Sequence, residues 1–242
     1  MRPDGRQDDE LRRVQLDDGF LSFAQGSTLI SMGNTRVICA AMVEEGVPGF
    51  LRGTEQGWLT AEYDMLPYAT PTRGPRQRDQ KKGRSHEIQR MIGRALRAVV
   101  DLTKIPSKTV WCDCDVIQAD GGTRCAALTG CFLALMQVNE WLHRKRLVTG
   151  SIVRDSLAAV SVGVWENRPL LDLCYREDVE AAVDMNVVMT GSGRLIEVQA
   201  AGEGHTFTRG DLEGLLDLAG KGIGQLVEME RQMAEEKGWS WS

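Results

Sequence analysis

The chain has 242 residues, with 29 basic and 34 acidic side chains, a formal net charge of −5, and 42% hydrophobic and 26% charged residues. These proportions are those of a globular protein; they exclude a mainly disordered chain and a uniformly basic nucleic-acid binder, though not a locally basic one. The opening MRPDGRQDDELRR is too charged for a signal peptide, and the most apolar uncharged stretch, 125–139, is short of the ~20 residues of a membrane span, so a cytoplasmic protein with no membrane contact is expected.

The first clear unit, 27–43, is two β-rich runs flanking Met32-Gly33-Asn34 and predicts a hairpin. A strand is predicted at 58–66, followed by a long loop from Pro67 to Ser85. The stripe Ile88, Met91, Ile92, Ala95, Leu96, Val99, Val100 predicts an amphipathic helix over 86–102. A strand at 109–118 leads through the turn ADGGTR into a second, more apolar helix from Cys125. Strands are expected at 157–165, 170–177, 184–190 and 194–202. A last helix opens at Thr208 with Asp211 as its capping partner, and Gly214, Gly220, Gly222 and Gly224 within it point to close packing against a sheet. Helices and strands alternate without a strict βαβ repeat, so the expected class is α+β with mixed sheets and packed helices, in one domain over 1–242 that ends in a short polar tail at 231–242. The six cysteines form no CxxC pair and read as reduced core thiols.

Common catalytic motifs are absent. No GxSxG accompanies the three histidines, and Gly214 to Lys221 has the wrong spacing for a phosphate loop. Three features carry chemistry. Gly121-Gly122-Thr123-Arg124 lies between a strand and a helix, where bare backbone N–H groups, a helix N-terminus and a guanidinium suit an oxyanion or phosphate. Between Arg73 and Arg84 six basic residues (73, 76, 78, 81, 82, 84) face one acid, Asp79, a formal +5 suited to a polyanion backbone. An acidic cluster, Glu177, Asp178, Glu180 and Asp184, places two carboxylates where they could converge on one Mg²⁺ or one proton-transfer position. The plain alternatives are a glycine turn with a surface arginine, a solvated charge run, and an acidic turn between hairpin strands.

At these residues the chain resembles the bacterial ribonuclease PH family. RPDGRQDDELR, GNTRVICAAMVE, FLRGTEQGWLTAEYDMLP, GRSHEIQRMIGRALRAVVD, WCDCDVIQADGGTRCAALTG and DMNVVMTGSGRLIEVQ follow the family's order from Met1 to Glu230. The resemblance implies an RNase PH-like fold (ribosomal protein S5 domain 2-like) and a phosphorolytic 3′→5′ exoribonuclease, a tRNA nucleotidyltransferase. Such an enzyme trims tRNA precursor 3′ ends, releases nucleoside 5′-diphosphates, runs in reverse to add nucleotides, and forms a homohexamer built as a trimer of dimers. It implies that Arg84, Gly122, Thr123 and Arg124 hold inorganic phosphate as co-substrate. Asp178 and Asp184 are then the catalytic pair and the ligands of Mg²⁺ (or Mn²⁺), and Arg73, Arg76 and Arg78 contact RNA. The sequence departs from the family's pattern at Tyr68, where an arginine is usual, at Ser85-His86, and in a shorter loop before Arg84. The rival reading is a catalytically silent RNA-binding ring subunit; a second is a free-standing Mg²⁺-dependent nucleotide phosphatase, which needs no basic loop.

Overall fold

A computed structural model describes residues 1–75 and 83–240. Strands β1 (Val14–Asp18), β2 (Gly26–Met32), β3 (Thr35–Glu45), β4 (Trp58–Met65) and β5 (Lys108–Gln118) form one sheet in the order β1-β2-β3-β5-β4. The β2–β3 hairpin forms as expected, with Met32 opposite Thr35 and Gly33 at φ 57°, the conformation that the turn demands. All pairs in this sheet are antiparallel except β4–β5, which is parallel because helix α1 (Gly83–Ala98) crosses between them. A second, antiparallel sheet has the order β7-β6-β8-β9, from β6 (Leu157–Trp165), β7 (Arg168–Leu171), β8 (Val183–Thr190) and β9 (Leu195–Ala201). The class is α+β with a mixed sheet, as expected.

Helix α2 (Thr123–Arg144) is the centre of the molecule. It packs against β2, β3 and β5 on one side and β6 on the other, so it is apolar nearly all round and its residues from Cys125 to Asn139 are buried. Among the described residues it is the one helix long and apolar enough to cross a membrane, and 83% of that stretch is buried inside the fold, as in a core helix. Its one buried hydroxyl in this run, Thr129, is satisfied by accepting the Ala159 N–H of β6 at 3.2 Å. One continuous apolar core takes residues from both sheets. All six cysteines are free and buried, as expected.

Three expectations are corrected. The strand read over 170–177 ends at Leu171: Asp172 turns the chain at φ 54°, and 175–180 is a short helix, α3 (Tyr175–Glu180), whose start is held by the Cys174 N–H donating to Glu177 at 2.9 Å. In the last helix, α4 (Arg209–Lys237), only Gly222 packs tightly, since a Cβ there would lie 2.7 Å from Leu171; Gly214, Gly220 and Gly224 face open space. α4 starts with the expected capping exchange, the Thr208 N–H donating to Asp211 at 2.8 Å and the Asp211 N–H to Thr208 at 3.2 Å. It also runs through most of the stretch read as a tail, held by Arg231 between Glu228 and Glu235, and Trp239 beyond it packs against the core.

Candidate active site

β5 and α2 are joined by Asp120-Gly121-Gly122. Both glycines have positive φ, 76° and 65°, and a Cβ on either would strike the Leu173 carbonyl oxygen at 2.5 Å or the Arg12 guanidinium at 2.8 Å. Only glycine fits. The turn is braced from behind: Arg12 donates to the Asp120 carbonyl at 2.5 Å, and Thr35 donates to that of Gly121 at 2.6 Å. Arg12 is itself fixed by a two-point pair with Asp172, 2.6 and 2.9 Å, in which both side chains are buried. Gly122, the residue ahead of α2, has no side chain to cap the helix, and the first turn carries no acid. The N-terminal N–H groups and the positive end of the helix dipole are therefore left for an external anion.

Thr123 opens the helix, and its hydroxyl meets that of buried Tyr63 on β4 at 2.8 Å. Arg124 points across to the second sheet, donating to the Gln199 side chain of β9 at 2.5 Å, and Gln199 in turn donates to Glu87 of α1. Arg84 is exposed in the first turn of α1. Among the described residues neither Arg84 nor Arg124 makes an ion pair with a carboxylate, so both cations are available. Their charges act on the same neighbours: burial raises the Tyr63 phenol above its usual range against the pull of Thr123 and of these two arginines.

The carboxylates come from the second half of the chain. Asp178 lies on the short helix α3, not at the end of the strand expected over 170–177, and Asp184 is the second residue of β8, opposite Gly163. Burial and the charge of Asp184 raise the Asp178 carboxyl, while Arg124, Arg84 and Arg12 draw it down. One acid thus feels its partner acid and both arginines. Two mutually repelling carboxylates are a hard oxygen donor set that suits Mg²⁺ or Mn²⁺. The other two acids of the cluster are structural. Glu177 is buried against Arg2 at 2.8 Å, and Glu180 accepts the Trp165 indole N–H at 3.0 Å.

Arg73 is exposed, on the segment leading away from β4; Arg76 and Arg78 lie outside the described residues. Sequence reasoning missed Arg12, Tyr63, Glu87, Asp172 and Gln199. All but Asp172 lie in the runs that resemble the family, but nothing local assigns them a role, and Arg12 and Asp172 are 160 positions apart.

The chain matches the model of the 3′ exoribonuclease family, domain 1, over residues 10–139 and that of domain 2 over 155–222. It is 55% identical over 239 residues to the ribonuclease PH of Bacillus velezensis, covering 98% of each chain, and 55% identical over 236 residues to that of Bacillus subtilis, covering 96% of each. Among solved structures it is similar to the Archaeoglobus fulgidus exosome with RNA bound to the active site, at TM-score 0.80 and 25% identity over 94% of this chain and 92% of that one. Rice Rrp46 shares the fold at TM-score 0.78 and 19% identity, covering 96% of this chain and 99% of that one. With both family domains matched in order and relatives more than half identical over nearly the whole length, the chain belongs to the ribonuclease PH family of 3′ exoribonucleases.

Proposed function

We propose that this protein is a phosphate-dependent 3′→5′ exoribonuclease that trims the 3′ ends of tRNA precursors, releases nucleoside 5′-diphosphates and, with excess diphosphate, adds nucleotides in reverse. The observation that carries the reading is the meeting of an anion seat with a carboxylate pair: Arg84 and Arg124 act on Asp178 while the N-terminus of α2 stays uncapped. Arg84, Thr123, Arg124 and the backbone at Gly122 hold inorganic phosphate with one oxygen directed at the terminal phosphodiester. That oxygen forms the new P–O bond as the bond to the 3′-oxygen of the preceding nucleotide breaks in line. The arginines and the helix end neutralise charge that grows on the transferring group, and Asp184 or Asp178 stabilises or protonates the departing 3′-oxygen. Asp178 and Asp184 are the residues that would hold Mg²⁺ or Mn²⁺, which supplies charge neutralisation at the scissile phosphate when bound.

Arg73, Arg76 and Arg78 guide the RNA backbone into this site. The two halves of the chain act as one catalytic unit, and copies assemble as a hexamer, a trimer of dimers. Supporting assembly, Phe20, Leu21 and Phe23 stand exposed ahead of β2, Phe23 at 92%. The reduced state of the thiols supports a cytoplasmic setting. The test is to incubate the protein with a 3′-extended tRNA precursor with and without phosphate. Diphosphates forming only with phosphate are expected; nucleoside monophosphates appearing without it would overturn the proposal. Deleting 73–82 should remove tRNA trimming and spare activity on short oligomers.

A further inference from the structure

We propose that Tyr63 is a positioning residue for phosphate, acting through Thr123: its hydroxyl donates to Thr123 Oγ1 and so turns the single Thr123 proton outward, toward the oxyanion. The inference rests on the phosphorolytic reading above and adds a residue to it. Tyr63 is 3% exposed, on β4 beside β5, among apolar neighbours where phenylalanine would fill nearly the same volume. A buried hydroxyl is costly unless it is bonded, and the partner that the structure gives this one is Thr123, at 2.8 Å.

The direction of that bond decides what Thr123 can do. Each hydroxyl has one proton. Were Thr123 to donate to Tyr63, it would present only lone pairs to a phosphate, which also offers only lone pairs, and the contact would be repulsive. With Tyr63 donating, Thr123 has its proton free for the anion, and the two bonds polarise each other in one direction. Burial keeps the phenol protonated, and therefore a donor. Thr123 is itself 8% exposed at the first position of α2, so few other groups compete for its proton. The strand that carries Tyr63 is held in place: Gln89 of α1 donates to the Tyr63 carbonyl at 3.3 Å and to Glu62 at 2.7 Å.

The test is Tyr63→Phe in steady-state phosphorolysis and in calorimetric titration with inorganic phosphate. Loss of one hydrogen bond that acts on a charged ligand should raise the KM and Kd for phosphate roughly tenfold while kcat at saturating phosphate changes by less than about twofold. A general packing defect would move the KM for RNA and the melting temperature as well. In a Thr123→Val background the Tyr63→Phe change should have no further effect on phosphate, whereas in a Thr123→Ser background, which keeps the hydroxyl, it should cost about tenfold again. An unchanged phosphate KM in Tyr63→Phe, or an equal loss in the Thr123→Val background, overturns the inference and leaves phosphorolysis standing. A parent protein that shows no phosphate binding overturns both.

Discussion

Arg12 and Arg124 lie on opposite sides of the same glycine turn and have opposite uses. Arg12, behind it, is buried and paired with Asp172 and the Asp120 carbonyl; it holds the backbone in shape, and its pull on Asp178 is weaker than that of Arg124 or Arg84. Arg124, in front, meets the neutral amide of Gln199, which orients the guanidinium without cancelling it. The lesson is that a cation's partner, more than its burial, decides whether it serves structure or ligand. A carboxylate partner consumes the charge, and an amide partner aims it.

The sharpest way to break this contrast is Asp172→Ala. It leaves Arg12 buried and unpaired, and should cost about 3–5 kcal/mol in urea unfolding; a loss below about 1 kcal/mol would mean that water or a rearranged partner already satisfies Arg12. Arg124→Ala should do the reverse, lowering phosphorolytic turnover by about 10²–10³-fold while shifting the urea midpoint by no more than an ordinary surface change.

Two buried acids extend the comparison. Glu177 is buried too, which alone would raise it, but the hydrogen bonds from Arg2 and the Cys174 N–H prevail and hold it below the ordinary 4.5. Its contribution to stability is present above pH 4.5 and is lost as pH falls through the lower folded value. Glu230 of α4 has no hydrogen-bond partner for either oxygen among the described residues, and burial pushes it well above 4.5. The folded state then keeps a proton that the unfolded chain releases, so this group costs stability progressively as pH rises above 4.5. Glu230→Gln should therefore raise the urea midpoint at pH 7 to 8 and lose that advantage near pH 4; an equal effect at both would show that Glu230 is solvated or paired. The smallest expected effect is Thr208→Ala at the start of α4, about 1 kcal/mol by the same measurement.

What the sequence made legible follows from the range of the forces involved. The β2–β3 hairpin and the Thr208–Asp211 cap are written within a few neighbouring residues and form where expected; the stripe of α1 also forms a helix, but over Gly83–Ala98 instead of 86–102, with Val100 bridging Val153. Gly122-Thr123-Arg124 was likewise readable, because a glycine turn before a helix is local. α3 was misread because Leu170 to Tyr175 looks like a continuing strand. Its Cys174–Glu177 pair has the spacing of a capping box with a thiol where a hydroxyl usually stands. Arg12, Tyr63 and Gln199 lie in runs that resemble the family, but their contacts with the turn and with Asp172 are set by folding alone and could not be read. The family resemblance supplied the ligands; the structure supplied what holds them.

The all-round burial of α2 also imposes a schedule on the growing chain. A ribosome releases β1 to β5 and α2 well before β6, so for that interval the side of the helix destined for β6 has nothing to lie against. Thr129 must wait for the Ala159 N–H, and the apolar side chains beside it remain an adhesive surface until their burial is complete. The first sheet is therefore half of a sandwich that closes only when the second arrives. A pause in synthesis after α2 has left the ribosome and before β6 has followed would be the most hazardous moment in this protein's biogenesis, and the one at which a chaperone that holds apolar helices would be most useful.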